Sequence, residues 1–175
     1  MKKGMKFLIL CLFTLALIGC DHASKVLAKA HLKDKAPFSW YHDTFRLEYV
    51  ENTGAFLSFG ADWPKGISIL VMSVLPVIFL IAFLAYAIRK NKDKNIGALL
   101  PYLLIFAGGV GNIADRIIYD RHVTDFMNLG INNLRTGIFN IADVYVSTGV
   151  IMLLIAQFKK PGAPSNQNNL QNRIS

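Results

Sequence analysis

Of the four aspartates in the stretch 108–143 (GGVGNIADRIIYDRHVTDFMNLGINNLRTGIFNIAD), three are of interest, Asp115, Asp125 and Asp143, together with Asn112, Arg116 and Asn140. Asp143 lies inside a strongly apolar run, and Asp125 lies in the connection just before it. An ionisable group at the edge of a membrane span is expensive to keep, so its default meaning is functional. Two carboxylates meeting in a partly desolvated place can share one proton and activate a water molecule. The plainer alternatives are a structural Asp115–Arg116 ion pair, an ordinary loop acid at Asp125, and an Asp143 neutralised by Arg116. Other chemistry finds little support. His22, His31, His42 and His122 show no paired ligand spacing, so no metal site is expected, and no cofactor. There is no Gly-x-Ser-x-Gly, His-Glu-x-x-His or P-loop pattern.

The elements that must position these residues are apolar. Hydrophobic residues make up 53% of the 175 and charged residues 17%, and mean hydropathy is +0.38, which points to a membrane protein rather than a soluble one. Four spans are expected, at about 7–25, 66–88, 96–116 and 138–158, each long enough for a hydrocarbon core of roughly 30 Å. Pro76 falls mid-span and is expected to kink its helix. The first run follows Lys2, Lys3 and Lys6 and ends in Leu17-Ile18-Gly19-Cys20, which reads as a signal peptide with a lipoprotein cleavage box. Three further spans argue against that reading, and an Asp21–Lys25 pair at i,i+4 can carry the helix on past Cys20. Cys11 and Cys20 are too far apart on one helix to bridge.

Charge gives the orientation. The segments before span 1, between spans 2 and 3, and after span 4 each carry +3, whereas the connection 21–65 balances six basic residues with six acidic ones. The connection between spans 3 and 4 carries three basic and four acidic residues. The net charge of +8 is therefore +9 on one side and −1 on the other, and the positive-inside rule makes the basic side cytoplasmic. It indicates basic membrane flanks rather than a nucleic-acid partner. In the connection 26–65, Phe38–Tyr41 and Phe45–Val50 read as short strands and Asn52-Thr53-Gly54 as a turn. Ala55–Phe59 and Trp63 suit a short interfacial helix. The fold expected is an α-helical membrane protein with four spans and a small sheet on the outer face. Residues 1–160 form one domain, and 161–175 a disordered tail rich in Pro, Asn and Gln.

On that frame the polar residues converge. Asp115 stands roughly 28 Å above Ile96 along span 3, and Asp143 lies only about 7–8 Å below the outer start of span 4. Gly108, Asn112 and Arg116 share one helix face, as do Asn140, Asp143 and Ser147. Gly108, Gly109 and Gly111 allow close approach of another helix.

Five separated motifs complete the pattern: Asp21-x-x-Ser24-Lys25, Asn52-Thr53-Gly54-Ala55-Phe56, Gly111-Asn112-x-x-Asp115-Arg116, Val123-x-Asp125-Phe126, and Phe139-Asn140-x-Ala142-Asp143. In this order on a four-span frame, the chain resembles the lipoprotein signal peptidase (signal peptidase II) family. The resemblance implies an aspartic endopeptidase of the bacterial inner membrane with Asp125 and Asp143 as the catalytic pair. It also implies substrate-binding roles for Asp21, Lys25, Asn52, Gly54, Asn112, Asp115, Arg116 and Asn140. The partner implied is a prolipoprotein signal peptide bearing a diacylglyceryl-cysteine, cut just before that cysteine by a monomer held among membrane lipid. The competing class is a non-enzymatic membrane protein, such as a proton-coupled transporter using the same acids. Acids gathered at one surface, rather than in a relay across the bilayer, count against it.

Overall fold

The computed structural model describes residues 3–55, 59–91 and 96–158. Four helices are long and apolar enough to cross a membrane: Gly4–Leu32, Lys65–Lys90, Ile96–Ile118 and Ile141–Phe158. The first helix, α1 (Lys3–Leu32), is about 45 Å long at the standard rise, well beyond a bilayer core. Its extra turns have a packing reason. Ala28 and Leu32 lie on one face and bury themselves against Phe126, Leu47 and Tyr49 of the sheet.

The second span is composite. α2 (Lys65–Ile69) passes through a π turn, Leu70–Val74, into α3 (Leu75–Lys90). Pro76 follows that turn at the start of α3. Its missing N–H breaks the regular ladder, and a wide turn just ahead of it absorbs the gap. A 3-10 turn (Ile96–Leu99) leads into α4 (Leu100–Ile118), the central helix, which packs against α1, α3 and α5 (Ile141–Phe158). Gly108 explains the closeness of α4 and α5: a Cβ there would stand 2.3 Å from the Ala142 carbonyl oxygen.

The small sheet is four-stranded and antiparallel, in the order β1 (Phe38–Trp40), β2 (Phe45–Asn52), β3 (Val123–Ile131), β4 (Leu134–Arg135). Half of it comes from the connection between the third and fourth spans, where only a link was expected. Asn132, with φ 53°, turns the β3–β4 hairpin. No helix forms among the described residues between Asn52 and Lys65: Phe59–Asp62 is turn, and residues 56–58, including Phe56, lie outside the described residues. The tail 161–175, Lys2 and the basic residues Lys92, Lys94, Lys159 and Lys160 also lie outside them. Cys11 and Cys20 are free.

Candidate active site

Asn140 organises the site. It caps α5, accepting the Asp143 backbone N–H on Oδ1 at 3.1 Å, while its own N–H donates to Asp143 Oδ2 at 3.0 Å. This is a reciprocal capping box built with Asp rather than Glu, and it starts the fourth helix at Ile141 instead of Ile138. The segment leading in is pinned to β3 by a bridge between Phe139 and Met127. That bridge sets Asn140 beside Asp125, and its Nδ2 donates to Asp125 Oδ1 at 2.6 Å. One side chain thus holds both aspartates.

Each carboxylate has a second partner. Asp125 sits opposite Val50 in the β2–β3 ladder, so Asn52, opposite Val123, is its diagonal neighbour on the same face. Asn52 Nδ2 donates to Asp125 Oδ2 at 3.1 Å, and Asn52 Oδ1 accepts the Gly54 N–H at 2.9 Å. Asn112 Nδ2, from α4, donates to Asp143 Oδ1 at 2.8 Å. Arg116 donates to the carbonyls of Gly54 at 2.8 Å and Asn112 at 3.3 Å. Its Nε is buried with no hydrogen-bond partner among the described residues.

Asp125 and Asp143 line one cavity of about 570 Å³, together with Asn52, Asn112, Arg116, Asn140 and the apolar Val123, Ile138, Val144 and Ile151. Burial is the main reason that the Asp125 pKa is pushed up to about 6, and the Asp143 charge adds to it, against the hydrogen bonds from Asn52 and Asn140. A carboxyl held near that value can keep or give up a proton close to neutral pH.

Asp21, Lys25 and Asp115 are placed elsewhere. None of them lines the cavity. All three are buried behind it, with Lys25 Nζ 2.8 Å from Asp21 and 2.9 Å from Asp115. The ion-pair partner of Asp115 is therefore Lys25, not the adjacent Arg116. Asp21 Oδ1 accepts the Ala142 N–H at 2.8 Å, satisfying another free donor of the α5 start. Also outside the sequence reading is the brace under β3, where Arg135 donates to Asn128 and to the Asp43 carbonyl at 2.7 Å.

The chain matches the Signal peptidase (SPase) II family over residues 13–159. It belongs to the signal peptidase II family. A lipoprotein signal peptidase of Borreliella burgdorferi (strain ZS7) is 35% identical over 161 residues, covering 89% of this chain and 93% of its own. One from Borrelia duttonii (strain Ly) is 32% identical over 149 residues, covering 82% and 86%. A solved structure of a bacterial membrane enzyme superposes with a TM-score of 0.71 at 24% identity, covering 94% of each chain, and so shares the fold. A second bacterial membrane enzyme gives 0.68 at 26% identity, over 91% of this chain and 96% of the other. Signal peptidase II membership makes this a protease, and the four apolar helices make it a multi-pass membrane protein.

Proposed function

We propose that this chain is an aspartic endopeptidase that removes signal peptides from prolipoproteins, with Asp125 and Asp143 as its catalytic pair. The observation that carries the reading is one residue, Asn140, hydrogen-bonded to both carboxyl-bearing residues at the wall of a largely apolar cavity. The pair holds one proton between its two carboxyls and titrates as a unit. The ionised carboxyl takes a proton from water as the water oxygen bonds to the scissile carbonyl carbon. The protonated carboxyl hydrogen-bonds to the carbonyl oxygen as charge develops there. When the C–N bond breaks, that proton passes to the leaving nitrogen.

Asn52, Gly54, Asn112, Arg116 and Asn140 form the substrate side of the site. Arg116 Nε is a donor available to a backbone carbonyl of a signal peptide unwound for cutting. The apolar lining suits a substrate whose cysteine already bears diacylglycerol. Asp21, Lys25 and Asp115, grouped with the substrate contacts by sequence, we assign to support from behind. Residues 1–160 act as one peptidase domain and the enzyme works as a monomer. The charge asymmetry supports cytoplasmic termini in the bacterial inner membrane, with the sheet and the aspartates toward the outer face. Labelling Cys11→Ser/Cys20→Ser protein with new cysteines at Asp43 and Lys90 tests this. Asp43→Cys reacts from outside and Lys90→Cys does not; the reverse pattern refutes the orientation.

The activity test is cleavage of a diacylglyceryl-modified prolipoprotein by purified full-length protein in detergent with chelator present. Cleavage just before the lipidated cysteine is expected. Activity lost in chelator and restored by zinc would refute the aspartic reading.

A further inference from the structure

A buried cation stands behind the catalytic pair without a part in the chemistry above. Lys25 is 4% exposed, and its ammonium reaches Asp21, Asp115 and, at 3.1 Å, Asn112 Oδ1. A buried lysine is costly unless paired, and the two carboxylates supply the pairing. The contact with Asn112 goes beyond charge balance, because it is directed at one end of a neutral amide.

That end matters. An ammonium can only donate, and an amide offers an oxygen that accepts and a nitrogen that donates. With Oδ1 turned to Lys25, Asn112 presents Nδ2 to Asp143 Oδ1. Asn140 Nδ2 donates to the same Asn112 Oδ1 at 3.1 Å, so two donors converge on one oxygen. A flipped Asn112 would point its NH₂ at the ammonium and at the NH₂ of Asn140. It would also turn its carbonyl oxygen to Asp143, setting acceptor against acceptor. From Lys25 through Asn112 to Asp143 the bonds therefore run in one sense. Asn140, whose own amide is oriented by the Asp143 N–H that its Oδ1 accepts, donates to the same Asn112 oxygen and to Asp125.

We propose that Lys25 is a positioning residue for the aspartate pair, locking the Asn112 amide in the one orientation that donates to Asp143. This rests on the assignment of Asp125 and Asp143 as the catalytic pair. The lysine also acts through space. The charged groups that face Asp125 are Asp143 from α5, Lys25 from α1 and Arg116 from α4, and the Lys25 charge favours ionised Asp125.

The test compares Lys25→Met, Lys25→Arg, Asn112→Ala and Lys25→Met/Asn112→Ala, purified in detergent, on a synthetic diacylglyceryl-modified prolipoprotein peptide. Lys25→Met lowers kcat roughly tenfold or more, the scale of one charge-assisted hydrogen bond, with KM little changed. It also moves the alkaline limb of the pH profile to higher pH, because a cation that opposed the Asp125 proton is gone. Lys25→Arg keeps charge and donors and recovers part of the rate. In the Asn112→Ala background the lysine change has little further effect. Should Lys25→Met fold poorly, Lys25→Met/Asp21→Asn/Asp115→Asn removes the unpaired charges and keeps an acceptor for Ala142; it folds but stays slow. A raised KM at unchanged kcat, or a normal rate and pH profile in the triple variant, would overturn the inference. Near-normal turnover in Asp125→Asn or Asp143→Asn would instead overturn the pair itself.

Discussion

The two ends of the helix bundle each hold a cavity, and the larger one is not where the carboxylates are. Between α3, α4 and α5, away from the sheet, about 760 Å³ is lined by Phe83, Tyr86, Lys90, Asn91, Tyr102, Leu153 and Gln157, without an acid among the described residues that line it. The sheet-side cavity is smaller, about 570 Å³, yet holds two aspartates, three asparagines and an arginine. Asparagine makes the contrast plain. Asn91, 3% exposed, spends its amide on the Ala87 carbonyl and closes a helix end. Asn140, fully buried, spends its amide on both aspartates. At the larger cavity the buried amide of Asn91 serves the backbone and Lys90 pairs with Tyr86. At the sheet-side cavity amides are aimed at the two aspartates, as the proposed reaction site requires.

This difference can be broken at several points. Asn140→Ala removes the α5 cap and a hydrogen bond to a charged group. It is expected to cost about 1 kcal/mol of stability and roughly 10–100-fold in kcat, read by melting and by initial rates. Gly111→Ala acts on the same end through packing alone. Its Cβ would stand 2.5 Å from Asp21 Oδ2, forcing that carboxyl away from the Ala142 N–H. A loss of about 1–3 kcal/mol is expected in thermal unfolding.

The pH dependence sharpens the comparison further. With the Asp125 pKa raised to about 6, the shared proton is lost as pH rises through that value, so kcat/KM falls on the alkaline side with an apparent pKa near 6. Because burial is the leading cause, a substrate that fills the cavity raises the value again. The same limb in kcat should therefore lie at higher pH than in kcat/KM. The smallest effect belongs to the other end: Asn91→Ala costs about 1 kcal/mol of stability and leaves kcat/KM at the wild-type level.

Much of this arrangement was legible in the chain. Apolar run length gave the four spans, and glycine at positions 108, 109 and 111 gave the close helix contacts. What escaped was decided by packing between distant segments. β3 hides because its pattern does not alternate cleanly: Phe126 packs on Ala28 and Leu32 of α1, while neighbouring Asp125 is also buried, against Asn52 and Asn140. α1 runs on to Leu32 because the sheet covers its last turns, and hydropathy alone ends it sooner. An Asp115–Arg116 ion pair is the alternative that adjacency suggests, but consecutive helical side chains point apart. The partner of Asp115, Lys25, lies ninety residues earlier, on another helix.

The central claim is that Asp125 and Asp143 work as one unit, and the direct measurement is kcat for Asp125→Asn, Asp143→Asn and the double variant, each confirmed folded. Asparagine keeps the size of aspartate but cannot ionise. Each single change is expected to lower kcat by roughly two to four orders of magnitude, and the double variant should be little worse than either. Near-normal turnover in either single variant, or losses that multiply in the double, would contradict a shared-proton pair.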